Sequence, residues 1–349
     1  MFVQIGNELH ATDIYTGRHL WKRTVNSLSD IVAVGKNIYA ISGKKCLYLD
    51  AETGERLDTF SSPAGEAWGQ IRISGDSLVG VTGKWLVCMD RNTGVLRWKV
   101  LSQRDGFNFA LGTDKVFSVD YWNFAHRKKE DPKSEEAEIT AMNLENGNPL
   151  WKIQVVTPSL AAGTKWNNFA PPLVPELAFS VQGDVLLFTR NTATAEAYQG
   201  STGRLLWSKE LLCKEPPGAF TSYHPPVVLA DKFVTHGGQV IDLKTGEPCA
   251  ERLWKNNNSN RGCGRALGCP NLVLIRDSHV SYFDLKTGVH TYFRGIRSGC
   301  TNTLIPAGGV LSAPNYAHHC NCNYPIYLSL AFVTMPEAES WNVIPANTN

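Results

Sequence analysis

No stretch of this sequence approaches the roughly 18 to 20 consecutive apolar residues that a helical membrane span requires, so no helical span is expected. An excess of one charge is also missing. The 34 basic and 32 acidic residues leave a net charge of +2, too even to form the broad basic footprint of a nucleic-acid binder or a protein that coats anionic membranes. Helical periodicity is absent from the apolar pattern, and there is no Gly-x-Ser-x-Gly elbow, Walker loop, dinucleotide fingerprint or His-Glu-x-x-His pair. The familiar motif-borne hydrolases, nucleotide enzymes and zinc proteases are therefore not indicated. Neither a signal peptide nor a linker is visible. What remains is a 349-residue chain, 43% hydrophobic in short runs. That is long for one domain, although propellers reach this size as single units.

A turn recurs along the chain. Its copies are Asp13-Ile-Tyr-Thr-Gly17, Asp50-Ala-Glu-Thr-Gly54, Asp90-Arg-Asn-Thr-Gly94, Asn143-Leu-Glu-Asn-Gly147, Asp242-Leu-Lys-Thr-Gly246 and Asp284-Leu-Lys-Thr-Gly288, with a degenerate seventh at Gly200-Ser-Thr-Gly203. Alternating apolar runs such as Cys46-Leu-Tyr-Leu49 and Leu86-Val-Cys-Met89 precede the turns. Pairs ending in tryptophan follow several of them: Leu20-Trp21, Arg97-Trp98, Leu150-Trp151 and Leu206-Trp207. The acidic or amide side chain can cap its own turn and the glycine can take positive φ, so each copy predicts a strand–turn–strand. Further β-type runs broken by Gly-Lys or Gly-Asp, as in residues 31–40 and 181–188, bring the unit to four strands. Successive turn glycines lie 37 to 56 residues apart, near the spacing of four-stranded propeller blades. The expected fold is all-β, a single propeller over residues 1–349. Eight blades are preferred, with seven as the alternative, because residues 2–5 read as a second strand and residues 9–12 as a third. A chain that opens inside a blade is expected to be completed by strands from its other terminus, by a preceding segment or by a partner chain.

The repeat Asp-x-x-Thr-Gly-x-x-Leu-Trp resembles the quinoprotein-type (PQQ-like) β-propeller repeat, and the resemblance runs over essentially the whole chain. The segment from Ser298 to Asn315, followed by Cys320-Asn-Cys322, is similar to PQQ-binding-like propellers of planctomycete-like bacteria. The resemblance implies quinone chemistry where adjacent cysteines and calcium-ligating carboxylates are present. This chain has no Cys-Cys pair, and its loops before the innermost strands carry Asn, Arg and His in preference to Asp and Glu. It therefore departs from the PQQ-site pattern, and no cofactor is assigned.

In a four-stranded blade lettered A to D from the axis outward, the D–A and B–C connections share one face and the A–B and C–D turns the other. The repeated turn marks the second face. Long, irregular loops on the first face are where function is expected, and Trp68, Asn108, Trp122, Trp166, Asn168 and His224 are the ligand-binding candidates there. The four tryptophans after the turns are expected to pack between blades. For acid–base or anion chemistry the candidates are His224, Arg261 and Arg297. Residues 125–138, a basic then acidic run, predict a solvated loop insertion.

Cysteine is plentiful for an intracellular chain. Cys263 and Cys300 fall at equivalent places in neighbouring blades, and Cys320 and Cys322 fall on the same face. Two disulfides across the ring closure, or a metal site of four thiolates aided by His318 and His319, are both open readings. Cys213 and Cys249 form a further candidate bridge, whereas Cys46 and Cys88 read as buried apolar residues. This cysteine usage predicts a periplasmic or extracellular location. The function expected is an exported binding or scaffold protein with a protein or glycan ligand on its loop face; the alternative is an enzyme at the channel mouth, a polysaccharide lyase or hydrolase or a quinone-dependent dehydrogenase.

Overall fold

The structure is a computed structural model that describes residues 1–122, 136–156, 175–190, 194–210, 227–234, 239–249, 267–269, 271–277, 279–293, 304–307, 309–313 and 330–333. These residues form antiparallel sheets in series and no helix. The first sheet has Phe2–Ile5, Glu8–Thr12 and His19–Thr24. Four-stranded sheets follow: Leu28–Val34, Asn37–Ser42, Lys45–Asp50 and Arg56–Ser61; Trp68–Ser74, Ser77–Thr82, Trp85–Asp90 and Leu96–Leu101; Gly106–Leu111, Lys115–Tyr121, Glu136–Asn143 and Pro149–Val156; and Glu176–Ser180, Val185–Arg190, Thr194–Gln199 and Leu205–Glu210. The sixth sheet holds Val227–Leu229, Lys232–Val234 and Val240–Asp242. The seventh has Leu267–Cys269, Leu272–Asp277, His279–Asp284 and His290–Phe293, and the eighth Ile305–Ala307, Val310–Ala313 and Leu330–Val333. The architecture is a β-propeller. The predicted loop insertion is shorter than expected at its end, because residues 136–138 belong to a strand in which Ala137 is fully buried. The rest of that insertion lies outside the described residues.

The repeated turn folds as its sequence dictates. In Asp50-Ala-Glu-Thr-Gly54, Asp50 Oδ1 accepts from the backbone N–H groups of Glu52 (2.9 Å) and Thr53 (2.8 Å) and from Thr53 Oγ1 (3.0 Å), while Gly54 N–H closes on Asp50 O at 2.9 Å. The degenerate copy has no acid at that position. Asp184, from the preceding turn, takes its place by accepting from Ser201 N–H (3.1 Å) and Gln199 Nε2 (3.1 Å).

Immediately after each of the first five turns the outer strand carries a β-bulge, with register shifts beside Ala11, Tyr48, Cys88, Ala141 and Ala197. A bulge bends its strand and re-aims the next side chain. Here it turns Trp21, Trp98, Trp151 and Trp207 onto the following sheet. Each indole Nε1–H donates to a backbone oxygen of that sheet's turn: Ala51 (3.1 Å), Leu144 (2.8 Å), Gly200 (2.9 Å) and Leu243 (3.0 Å). Each ring lies over the turn glycine, so closely that a Cβ at Gly54, Gly147, Gly203 or Gly246 would stand 2.6 to 2.8 Å from ring carbons. In the second sheet the tryptophan position holds Asp58, and Phe60 covers Gly94 instead. The tryptophans after the turns are thus inter-sheet staples, as expected.

Apolar clusters fill each gap between consecutive sheets, from Leu9, Trp21, Leu28 and Ile38 between the first and second to Leu274, Val280, Leu304 and Ala313 between the seventh and eighth. The first strands of neighbouring sheets lie side by side, Leu28–Val34 against Trp68–Ser74 and Gly106–Leu111 against Glu176–Ser180. These strands therefore surround the axis. Cys46 and Cys88 are fully buried among apolar residues, as predicted, and burial pushes their thiols up to about 12 and about 11.

Candidate functional site at the channel mouth

The innermost strands begin with a polar side chain at matching places. Asp30 and Gln70 each stand five residues before a turn glycine, Gly35 and Gly75, and Asn108 stands four before Gly112. Asp30 Oδ1 accepts from Ile31 N–H at 2.9 Å, and its Oδ2 accepts from Ile71 N–H of the next sheet at 2.8 Å. Gln70 Nε2 donates to Asn108 Oδ1 (3.0 Å), which also accepts from Phe109 N–H (2.8 Å). Asn108 Nδ2 donates onward to Pro175 O at 3.1 Å. The result is a polar belt that ties the second, third, fourth and fifth sheets together at one end of the axis. Edge backbone groups that would otherwise lack partners are satisfied there by side chains.

Arg72 follows this belt on Trp68–Ser74. Its guanidinium carbon lies 5.3 Å from the centre of the Phe109 ring in the fourth sheet, a cation–π distance. Burial pulls its pKa below the ordinary value, while the charges of Asp30 and Glu176 oppose that shift. A cleft of about 460 Å³ opens at this place, lined by Ser29, Asp30, Gly69, Gln70, Ile71 and Arg72. That size suits a small molecule or one projecting side chain.

One of the predicted ligand-binding residues, Trp68, is placed differently from expectation. Trp68 is 4% exposed. Its ring packs on Gly80 and among Tyr39, Ile41 and Phe60, so it belongs to the core between the second and third sheets and presents no stacking platform. Asn108 is at the mouth, but its amide is committed to the belt. Trp122 is half-buried at the end of the Lys115–Tyr121 strand and is already engaged in contacts. Trp166, Asn168, His224, Arg261, Arg297, Cys263, Cys300, Cys320, Cys322, His318 and His319 lie outside the described residues, so neither the catalytic candidates nor the four-cysteine cluster can be placed. Cys249 is free and exposed, and Cys213, its candidate partner, lies outside the described residues.

Sequence reasoning missed Asp30, Gln70 and Arg72 because they sit within ordinary-looking strands. The signal that finds the first two is their fixed distance from the A–B turn glycine. Among the described residues, no group of three or more His, Cys, Asp or Glu side chains is placed to hold a metal. Among the described residues, the one carboxylate lining the cleft, Asp30, has both oxygens on backbone N–H groups.

Comparison with known proteins agrees with this architecture. Residues 1–100 match the family described as outer membrane protein assembly factor BamB. BamB from Moraxella catarrhalis is similar in structure, with a TM-score of 0.56 and 17% identity over 90% of this chain and 93% of that one. The computationally designed Ika8 protein is similar at a TM-score of 0.62 and 14% identity, over 89% of this chain and 91% of that one. A europium-containing methanol dehydrogenase is similar at 0.54 and 13%, over 89% and 80%. Identities this low speak to fold alone, and no curated protein matches the sequence. The turn, the bulge, the tryptophan staple and these likenesses converge: the chain folds as a β-propeller, and its first 100 residues are similar to the BamB family.

Proposed function

We propose that this propeller is a binding or scaffold protein that holds a protein partner at the channel mouth, on the face of the D–A and B–C connections. The observation that carries the reading is the commitment of the mouth's polar side chains. Asp30 and Asn108 spend their oxygens on backbone N–H groups and inter-sheet links, while Arg72 faces an open cleft. A fixed rim around an available cation is suited to recognition, whereas proton transfer needs a group free to exchange its proton. The match of residues 1–100 to an outer-membrane assembly factor supports a protein partner over a glycan and supports a periplasmic or outer-membrane-associated location.

A photo-crosslinking amino acid tests this when placed at Ser29 or Gly69 in the mouth and, for comparison, at Glu52 or Asn92 in the turns of the opposite face. In cells, saturable crosslinks to one protein from the mouth positions alone are the expected result. Crosslinks from the turns alone, or saturable glycan binding with no protein crosslink, would overturn it.

A further inference from the structure

We infer that Arg72 anchors a single carboxylate group of a ligand in the cleft at the channel mouth. This rests on reading the mouth as the binding face and adds the chemistry of what binds. A guanidinium carries five N–H donors and no acceptor. Arg72 has no hydrogen bond or ion pair among the described residues, and its one specific contact is the face of Phe109. Stacking on a ring leaves the donor edge of the fork open while fixing its plane.

The nearest obvious partner is unavailable to it. Asp30 lines the same cleft, but Asp30 Oδ1 and Oδ2 accept from Ile31 and Ile71 N–H. Its charge acts on Arg72 through space without a direct contact. Arg72 is exposed, so its donor edge is open to an incoming group. A carboxylate entering the cleft can accept two parallel N–H···O bonds from it in place of water. Exposed Ser29 and Gly69 line the same cleft and can meet the rest of the ligand.

The field sets the limit on charge. Arg72, Asp30 and Glu176 interact electrostatically and together sum to one negative charge. That net charge repels any anion, a doubly charged phosphate more than a single carboxylate, so the two bonds to the fork outweigh the repulsion more readily for a carboxylate. An acidic side chain of a protein partner and a free small carboxylic acid share this chemistry.

Nuclear magnetic resonance titration of the whole protein separates them, using acetyl-Gly-Glu-Gly-amide, its Gln counterpart, propionate and inorganic phosphate as probes. The expected result is saturable binding of the Glu peptide or propionate, none of the Gln peptide or phosphate, and an affinity lowered about tenfold or more by Arg72→Gln. Tighter binding of the Glu peptide than of propionate assigns the source to a partner side chain, and equal binding assigns it to a free acid. Arg72→Lys keeps the charge without the fork and should give an intermediate loss, which carries the test if Arg72→Gln does not fold. Equal binding of the Gln and Glu peptides, preference for phosphate, no carboxylate binding, or an unchanged affinity in a folded Arg72→Gln protein would each overturn the inference. If protein crosslinks from Ser29 and Gly69 persist while carboxylate binding is absent, the binding-face reading stands and this inference alone falls.

Discussion

Gly147→Ala is the sharpest probe of how neighbouring sheets are joined. Gly147 has φ +73°, and holding an alanine in that region costs about 1–2 kcal/mol. The new Cβ would lie 2.7 Å from Trp98 Cγ and 2.8 Å from Cδ2, and forcing a packed ring aside costs about 1–3 kcal/mol. Displacing the ring also strains the Trp98 Nε1–Leu144 O bond at 2.8 Å, a net loss of about 1 kcal/mol. The sum is about 3–6 kcal/mol. Gly35→Ala is the control, since Gly35 has φ +58° and nothing within 4 Å of the added carbon, so about 1–2 kcal/mol of backbone strain is all it should lose. Equilibrium urea unfolding followed by circular dichroism measures both. In a Trp98→Ala background the ring is gone, and Gly147→Ala should then cost no more than Gly35→Ala. A full Gly147→Ala cost that persists without Trp98 would refute the staple as the source of the coupling.

Other outcomes follow from the same geometry. Asn108→Ala removes the links to Gln70 and Pro175 and should lower unfolding stability by about 1–3 kcal/mol, with no change in secondary structure by circular dichroism. Iodoacetamide on native protein, mapped by mass spectrometry, should modify exposed Cys249 well before Cys46 and Cys88, whose burial keeps them as thiols; prompt labelling of Cys88 would contradict the packing described. His290 stacks on Phe283 and Tyr292, with ring centres at 3.6 and 3.8 Å, and burial lowers its pKa from 6.5 to about 4. Because the folded value is depressed, its neutral form favours folding above pH 6.5, and that contribution is lost as pH falls toward about 4. Proton NMR should show its ring titrating near pH 4. The turn carboxyls of Asp13, Asp50 and Asp284, held below their ordinary 3.8 chiefly by backbone N–H donors, act in the same sense at lower pH. Melting temperature should accordingly fall in two stages on acidification, and Asp50→Asn, which keeps the acceptor without the titration, should soften the second.

The architecture was readable because its unit is local. Asp-x-x-Thr-Gly states a turn, and a tryptophan four residues after the glycine states what the next sheet must accommodate. The same rule says nothing about Trp68, whose position follows from a register shift between Trp68 and Ile71 and from the absence of a side chain at Gly80. A partner across the sheet that happens to be glycine leaves no mark beside the tryptophan in sequence. The mouth was half legible. Asn108 stood out as polar in an apolar run, while the role of Arg72 depends on Phe109 and Asp30, which lie 37 and 42 residues away and come together only when three sheets are in place.

The staple also bears on how such a chain can change. At four joints among the described residues the coupling joins an aromatic ring, a residue without a side chain and a backbone oxygen, and the earlier sheet gives the ring that the next receives. Neighbours thus fit through one shared connector, much as links of a single gauge can be exchanged along a chain. It also means that one unit, such as Trp68–Leu101 with its turn and ring, is an exchangeable part: a protein with that stretch duplicated has one new joint, where Trp98 of the first copy meets Gly94 of the second.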